Sequence, residues 1–234
     1  MKKKRILVTG GTGALGSVLV KKLAREGYSL RVLTLPDDPC VSRLDGVDVE
    51  IRYGDVSNKS DVNGICDNID QVFHLAAVII SYDNTVFDRV NIEGTVNLLS
   101  SASKAGVKHF VHVSSASVVY PKVTPYSLSK RVVERLVKES GVPYTIVRPT
   151  LAYGPEGGLE FDMFLDYLRK FPVIPFIGKG NALKRPVFID DLIDGFFRLA
   201  QIDTGTGKVY NFSGGKAISM IDFSRLCLSF MGME

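Results

Sequence analysis

The sequence has few of the residues that build disulfide frameworks or metal sites. Its three cysteines, Cys40, Cys66 and Cys227, are odd in number and show no C-x-x-C or other metal-like spacing. This pattern favours free thiols in a reduced, cytoplasmic setting. None of them lies in a recognisable acid–base context, so we expect no cysteine nucleophile. The three histidines lack carboxylate or cysteine partners at ligand spacing, which disfavours a metal enzyme.

Long apolar runs are also missing. No stretch approaches the roughly 20 apolar residues that span a bilayer, and the apolar segment at 6–9 is too short for the core of a signal peptide. We therefore expect no membrane partner. The net charge of +4 arises largely from residues 2–5, which we interpret as the solvated start of a strand and not as a nucleic-acid contact.

The composition that remains is typical of a globular protein, with 234 residues of which 45% are hydrophobic and 23% charged. Short apolar runs alternate with longer amphipathic segments. The runs predict strands at 5–9, 30–34, 49–53, 71–75, 109–114, 144–147 and 209–212, and the amphipathic segments predict helices at 14–26, 85–105, 127–139, 191–200 and 218–231. This alternation indicates an α/β fold with a doubly wound parallel sheet.

A glycine-rich turn joins the first predicted strand to the first predicted helix. It reads as G-x-G-x-x-G from Gly11, or as G-x-x-G-x-x-G from Gly10. Glycines let the backbone approach a pyrophosphate closely, and the helix N-terminus offers it unpaired N–H groups. Because the motif lies between a strand and an amphipathic helix, it predicts a dinucleotide site. The predicted contacts are Gly10, Thr12, Gly13, Ala14, Leu15 and Gly16.

The acid that usually follows the second strand of such a site is missing, since Thr34 occupies that position. Asp37 and Asp38 could substitute for it, or could belong to a solvated loop. No cation is placed for a 2′-phosphate, which favours NAD, whereas Arg31 and Arg43 leave NADP open.

Another carboxylate, Asp55, follows the third predicted strand. It could bond the adenine edge or cap the next helix, and we favour the first role.

Tyr126 and Lys130 are four residues apart in a predicted helix, so both side chains lie on one helix face. A phenol with an ordinary pKa near 10 is a poor base at neutral pH. An ammonium about 4 Å away would stabilise the phenolate by roughly 4 kcal/mol at an effective dielectric near 20, so we expect Lys130 to lower the pKa of Tyr126. Ser115 follows a predicted strand, where its hydroxyl would orient a reacting oxygen or would only cap a loop. The trio predicts proton transfer coupled to hydride transfer.

With these residues in hand, the chain resembles the extended short-chain dehydrogenase/reductase family of nucleotide-sugar epimerases and dehydratases. The matching segments follow in family order at 9–16, 54–56, 74–77, 90–99, 114–116, 126–130, 148–155, 188–192 and 210–215. The resemblance implies a Rossmann domain over residues 1–150. It also implies segments of a small substrate lobe over residues 151–234, intertwined with the first domain and carrying the last sheet strand.

The resemblance further implies how the site works. NAD would take part in hydride transfer during epimerisation or dehydration, or in net reduction in some branches. The substrate would be a small molecule, foremost a nucleotide sugar, and a homodimer would form through the helices at 85–105 and 127–139. Beyond the glycine turn, the implied cofactor contacts are Asp55, Val56, Leu75, Ala76, Ala77, Asn91, Tyr126, Lys130 and Pro149.

Several features depart from the family pattern. Only ten residues separate Ser115 from Tyr126, which predicts a more open pocket or a smaller substrate. Lys184 and Arg185 replace a more usual Arg-Asp pattern, and could bind a diphosphate or form a solvated pair. The end of the chain at Glu234 predicts a shortened substrate lobe. No acid lies beside Ser115, which disfavours a dehydratase.

Three hypotheses follow. The leading one is an enzyme resembling a UDP-hexose 4-epimerase, with retained NAD. The second is an NAD(P)H-dependent carbonyl reductase of the dihydroflavonol or hydroxysteroid branch. The third is a cofactor-binding scaffold without catalysis, which the intact trio of Ser115, Tyr126 and Lys130 disfavours.

Overall fold

The computed structural model describes residues 4–155, 158–171 and 179–233. Its strands are β1 (Arg5–Thr9), β2 (Ser29–Thr34), β3 (Glu50–Tyr53), β4 (Gln71–His74), β5 (His109–Val113), β6 (Tyr144–Pro149), β7 (Ala152–Tyr153), β8 (Leu183–Lys184), β9 (Val187–Phe188), β10 (Val209–Phe212) and β11 (Ile218–Ser219). Seven of them form one parallel sheet in the order β10-β6-β5-β4-β1-β2-β3. The run from β3 to β6 has the strand order of a Rossmann fold.

Helices connect the strands. They are α1 (Ala14–Arg25), α2 (Lys59–Val62), α3 (Gly94–Ala105), α4 (Pro125–Glu139), α5 (Leu159–Lys170), α6 (Ile189–Ala200) and α7 (Met220–Phe230). Short 3-10 turns cover Pro39–Leu44 and Ala116–Val119, and a π-helix, Phe87–Glu93, leads directly into α3.

Successive residues of β1 face opposite sides of the sheet, and helices cover both sides. Ile6 and Val8 belong to the core that contains α1 and α6, whereas Leu7 belongs to the core that contains α3 and α4. All three side chains are fully buried. Burial on both faces explains why the central strands read as continuous apolar runs in the sequence.

A smaller apolar cluster joins α5 to α7. Leu168, Phe223 and Cys227 are its buried members, and the rings of Phe164 and Phe223 stack with centroids 5.3 Å apart. Two short ladders, β7 with β9 and β8 with β11, lie in the same part of the sequence. Residues 156–157 and 172–178 of the segment interpreted as the substrate lobe lie outside the described residues.

The predicted strands are all present, and the predicted helices are present with shifted ends. One local expectation is wrong in detail: the helix expected at 85–105 begins as a π-helix and becomes α-helical only at Gly94. The sequence pattern does not predict α5, because proline- and glycine-rich segments flank this helix and obscure its period. The last helix starts later than expected, at Met220, since Ile218–Ser219 pairs with β8.

Across the described ranges, none of the helices combines the length and the apolar content needed to cross a bilayer. The three cysteines are free thiols. Burial raises the pKa of the Cys66 thiol to about 11, so this residue is poorly suited to act as a nucleophile at neutral pH.

Candidate active site

The order in which successive strands join the sheet reverses between β1 and β4. Strands β2 and β3 are added on one side of β1, whereas β4, β5 and β6 are added on the other. Open α/β sheets bind ligands at such a switch point, outside the carboxyl ends of the strands. Thr9 and His74, which end β1 and β4, are partners in the ladder. The predicted site segments therefore converge there, since they follow β1, β4 and β5, and Pro149 ends β6.

The glycine turn packs tightly against its surroundings at two positions. A Cβ on Gly10 would lie 2.7 Å from the backbone nitrogen of Ala76, and the φ of Gly10 is +69°. A Cβ on Gly16 would lie 2.0 Å from the carbonyl oxygen of Gly10. At Gly11 a Cβ would instead meet the side chain of Val32. The close backbone contacts therefore favour the motif G-x-x-G-x-x-G, which starts at Gly10, over the motif that starts at Gly11.

This turn leaves the start of α1 open to a ligand. Gly13 is the N-cap residue, and none of the described side chains caps it. The first turn of α1 also has no acidic residue. The leading N–H groups of the helix are therefore available to an anion, as the pyrophosphate of a dinucleotide requires.

The structure brings Asp38, not an acid at the end of β2, to the glycine turn. Its carboxylate accepts hydrogen bonds from Thr34 Oγ1 at 2.8 Å, from Thr12 Oγ1 at 2.5 Å and from the backbone N–H of Cys40 at 2.9 Å. Partial desolvation opposes the charged form, but these bonds outweigh it and hold the pKa of Asp38 below its usual value. Asp37 is exposed. Of the two aspartates, only Asp38 is thus shown to bond to the glycine turn.

The two arginines that left NADP open differ in their surroundings. Arg31 is buried, donates to the carbonyl of Ile65 at 2.7 Å and pairs with Glu50 at 3.1 Å. Its guanidinium is therefore engaged in the core. Arg43 donates to the carbonyl of Thr12 at 3.2 Å, so it alone of the two lies against the turn.

Asp55 and Val56 are held by the segment that connects β3 to α2. Asp55 Oδ1 accepts a hydrogen bond from the N–H of Ser57 at 2.8 Å. Asn58, not Asp55, is the N-cap residue of α2. The side chain of Val56 is buried in the core, so any contact of Val56 with a cofactor would use its backbone.

A buried hydrogen-bonded chain links the glycine turn to the segment after β4. Thr9 Oγ1 lies 2.7 Å from His74 Nδ1, and His74 Nε2 lies 2.9 Å from Thr95 Oγ1. Thr9 Oγ1 also accepts from the N–H of Ala76 at 3.3 Å. Leu75, Ala76 and Ala77 are half-buried, and this chain fixes their position beside the turn.

Asn91 fixes the same segment from the other side. Its amide nitrogen donates to the carbonyl of Val78 at 3.0 Å, and its oxygen accepts from the N–H of Val78 at 2.8 Å. The amide nitrogen also donates to Ser129 Oγ at 3.0 Å. Asn91 lies in the π-helix, a form that often marks functional positions, and it connects the strand end to α4.

Tyr126 and Ser115 meet at the start of α4. Pro125 is the first residue of this helix, and Thr124 and Ser127 form a capping box that fixes it. The Ser115 hydroxyl lies near enough to the Tyr126 phenol to lower its pKa. Ser115 Oγ also accepts from the N–H of Ser117 at 3.1 Å, so Ser115 caps the turn that follows it.

The expected lowering of the pKa of Tyr126 is wrong for this structure. Burial raises the pKa of Tyr126 to about 12, although the nearby Ser115 hydroxyl lowers it, and Glu160 raises it further. Lys130 lies one turn along the helix, but its Nζ donates to the carbonyl of Val113 at 2.8 Å. Burial lowers the pKa of Lys130 to about 8, against an opposing effect of Glu134.

Two acids at this site are not among the predicted site residues. Glu160 lies in the first turn of α5 and acts on Tyr126 from there, but its segment carries no sequence signal. Glu134 could have been found, because it continues the spacing of Tyr126 and Lys130 by four more residues. Lys184 is half-buried in β8 and Arg185 is exposed.

The doubly wound sheet, with a glycine turn at its switch point, defines a dinucleotide-binding protein of the Rossmann class. The sequence profile described as the NAD dependent epimerase/dehydratase family matches residues 6–213. The chain belongs to this family. The membership confirms the predicted family resemblance, the fold, the NAD dependence and the class of enzyme.

The proteins that resemble this chain are named for different substrates. The chain is 29% identical over 267 residues to a 3 beta-hydroxysteroid dehydrogenase/Delta 5-->4-isomerase of Mycobacterium tuberculosis, covering 98% of this chain and 70% of that protein. It is 28% identical over 248 residues to a UDP-glucose 4-epimerase of Vibrio cholerae, covering 95% and 74%. The structure of MoeE5 in complex with UDP-glucuronic acid and NAD superposes with a TM-score of 0.82 at 25% identity, covering 98% and 83%.

Proposed function

We propose that the protein interconverts a secondary alcohol and a ketone, with Tyr126 exchanging the proton and Ser115 orienting the reacting oxygen. The proximity of the Ser115 hydroxyl to the Tyr126 phenol, whose pKa it lowers, carries the proposal. Two hydroxyls that meet above the end of β5 can both reach one substrate oxygen. The buried ammonium of Lys130, one helical turn away, adds the positive charge that a phenolate needs.

The residues present fit NAD. Gly10, Gly13 and Gly16, with Thr12, Ala14 and Leu15, would hold the pyrophosphate on the α1 N-terminus, and Asp38 would accept from the adenosine ribose. Bound NAD supplies a hydride acceptor and donor, and a positive charge on its oxidised ring. The remaining contacts that we assign to it are Asp55, Val56, Leu75, Ala76, Ala77, Asn91, Tyr126, Lys130 and Pro149.

The raised pKa of Tyr126 decides which way its proton moves most easily. A phenol with a pKa of about 12 is protonated at neutral pH, so it can donate to the oxygen of a ketone as that oxygen gains charge. In the reverse direction Tyr126 takes the proton of the alcohol. Lys130 would then stabilise the phenolate, and Ser115 would hold the alcohol oxygen in place.

The leading reaction is the epimerisation of a nucleotide sugar at a carbon that passes through a ketone. The similarity to a UDP-glucose 4-epimerase over most of the chain supports this choice, and so does the absence of an acid directly after Ser115, as dehydration would use. Such an enzyme would purify with NAD bound and invert UDP-hexoses without net consumption of cofactor.

A second candidate is the oxidation or reduction of an apolar alcohol or ketone. Exposed apolar side chains lie on the loops that follow β4 and β5, among them Ile80, 50% exposed, Val119, 60%, and Val123, 51%. Such side chains suit an apolar substrate better than a sugar. The similarity to a 3 beta-hydroxysteroid dehydrogenase agrees with this alternative.

One experiment tests the shared chemistry and separates the reactions. The purified protein is analysed for bound NAD by mass spectrometry, then assayed with UDP-glucose and UDP-galactose and with a 3-hydroxysteroid plus NAD. Tyr126→Phe should abolish whichever activity appears, whereas Tyr82→Phe, at an exposed tyrosine, should leave it unchanged. Equal activity of the wild-type protein and Tyr126→Phe would refute the proposed proton transfer.

We further propose that two copies associate through α3 and α4. Val96, Leu99 and Leu136 line a groove between these helices, and Val96 is 44% exposed. Val96→Glu should convert a dimer into a monomer in light scattering, with the exposed Val119→Glu as control.

We also propose a location in the reducing cytoplasm, because free cysteines would persist in that setting.

A further inference from the structure

Glu134 lies on the same face of α4 as the two predicted catalytic residues. It follows Lys130 by four residues and Tyr126 by eight, a spacing that aligns side chains along a helix. Only 4% of Glu134 is exposed. An ionised carboxylate in such a place needs charged or hydrogen-bonding partners.

The partners of Glu134 come from two strand ends. Its carboxylate accepts from Ser114 Oγ at 2.6 Å, and from Arg148 Nε at 2.8 Å and Nη2 at 2.6 Å. Ser114 follows β5 directly, and Arg148 lies in β6. The arginine contact is the two-pronged form that fixes direction as well as distance.

Helix α4 therefore holds two successive residues at the end of β5. Lys130 donates to the carbonyl of Val113, and Glu134 accepts from the hydroxyl of Ser114. The N–H of Ser114 also donates to the carbonyl of Val147 at 2.7 Å. Ser115 is the next residue, so the backbone that carries its hydroxyl is held in place.

Glu134 also acts on the charge of Lys130. Besides Glu134, the titratable groups near Lys130 are Tyr126 on the same helix face, His74 of β4 and His112 of β5, and burial together with Lys130 lowers the pKa of the two histidines. They are neutral at pH 7, so Glu134 is the negative charge that opposes the desolvation of Lys130. Glu134 itself stays ionised: desolvation raises its pKa, but Arg148, Ser114 and, by charge, Lys138 lower it further.

We propose that Glu134 is a positioning residue, which fixes the turn carrying Ser115 and sets a negative charge one helical turn from Lys130. It touches neither substrate nor cofactor in this role. The part concerning Ser115 rests on the function proposed above, whereas the part concerning Lys130 is independent of it.

Opposite charge changes test the electrostatic part. The titration of Lys130 is followed by NMR in protein with carbon-13-labelled lysine, and its signal is assigned by its loss in Lys130→Met. Glu134→Gln removes the negative charge and leaves Arg148 unpaired, so the midpoint of Lys130 should fall by about one pH unit. Arg148→Met leaves Glu134 unpaired, so the midpoint should rise. Glu139→Gln, at an exposed acid of the same helix, should change nothing.

A purely structural role would not give shifts of opposite sign. An unchanged midpoint in Glu134→Gln, or shifts in the same direction in both variants, would overturn the proposal. If Glu134→Gln does not fold, the double variant Glu134→Gln/Arg148→Met replaces it, because it removes both buried charges. Its midpoint should lie below that of Arg148→Met, and equality of the two would equally overturn the proposal.

The positional part is tested by kinetics. Glu134→Asp keeps the charge but shortens the reach to Ser114, so kcat should fall about tenfold with KM unchanged and the Lys130 midpoint within about 0.3 pH units of the wild type. An unchanged kcat would refute this part. A lack of any activity in the wild-type protein would instead count against the proposed function, and the NMR result would stand.

Discussion

The ammonium of Lys130 and the carbonyl of Val113 are joined by a hydrogen bond of 2.8 Å. This contact fixes the ammonium at the end of β5, where 3% of Lys130 is exposed. Burial lowers its pKa to about 8, against the effect of Glu134. The residue that the proposed reaction needs in its charged form therefore loses its proton at only mildly alkaline pH.

This pKa predicts how stability depends on pH. The pKa of Lys130 falls from 10.5 to about 8 on folding, so the unfolded chain binds more protons between these two values. The free energy of unfolding should consequently rise as pH increases through this window. Lys130→Met removes the titration, and its urea-unfolding free energy should lack that rise. The exposed Lys138→Met serves as control, and a rise that persists in Lys130→Met would contradict the prediction.

Acid should destabilise the protein through its buried histidines. Burial lowers the pKa of His74 to about 3 and that of His109 to about 4, and lowers that of His112 well below its usual value. The unfolded histidines take up protons below about pH 6.5, whereas the folded ones do not, so stability should fall as pH drops below that value.

His112 offers the sharpest test of this acid sensitivity, because neither of its ring nitrogens has a partner within the described part of the chain. His112→Leu should lose no hydrogen bond at pH 7, and its stability there should equal or exceed that of the wild type. It should also be less sensitive to acid. His109→Leu is the contrast, since it removes one buried hydrogen bond from Gln71 and one from Thr145 and should lose about 1–3 kcal/mol at pH 7. Chemical unfolding at several pH values measures the stability of both variants. Equal losses of stability in the two would contradict the prediction.

Asp38 should determine the preference for NAD. Its carboxylate faces Thr12 and Thr34, where it can accept from the hydroxyls of a ribose and would repel a 2′-phosphate. Asp38→Asn should weaken NAD binding about tenfold, a loss of one charged hydrogen bond, and should improve NADP binding relative to NAD. Calorimetry with both cofactors measures this, with the exposed Asp37→Asn as control. Equal effects of the two variants would place the ribose elsewhere.

Much of the fold could be predicted because its signals are local. Apolar runs marked the seven sheet strands, the glycine turn marked the first crossover, and a spacing of four placed Tyr126 and Lys130 on one helix face. Each of these depends on neighbours in the sequence. The position of β10 next to β6 at the edge of the sheet depends on a long connection, and the runs alone do not reveal it.

The electrostatics of the site could not be predicted in the same way. The distance along a helix says that Lys130 is near Tyr126, but the direction of its Nζ is set by the carbonyl of Val113. The position of Asp38, the acid that we propose for the ribose, depends on the 3-10 turn Pro39–Leu44, which Asp38 caps. Glu160 acts on Tyr126 from α5, a different helix further along the chain. Each case needs contacts between distant segments.

Gly10 and Gly46 provide a matched pair for the glycine turn. Their φ angles are +69° and +74°, so alanine is strained at both positions by roughly 1–2 kcal/mol. Their surroundings differ. A Cβ on Gly10 would lie 2.7 Å from the backbone nitrogen of Ala76, whereas a Cβ on Gly46 would have no atom of the described residues within 4 Å apart from its own residue and its two chain neighbours.

Gly46→Ala therefore measures the cost of the backbone conformation alone, and Gly10→Ala adds the displacement of the segment after β4. We expect Gly10→Ala to lose more stability than Gly46→Ala in urea unfolding, and to bind NAD at least about tenfold more weakly, because the strand end that lines the predicted crevice must move. Gly46→Ala should bind NAD like the wild type. If the two variants lose the same stability and both retain NAD binding, then the close contact between Gly10 and Ala76 does not shape the cofactor site, and the glycine turn serves only to join β1 to α1.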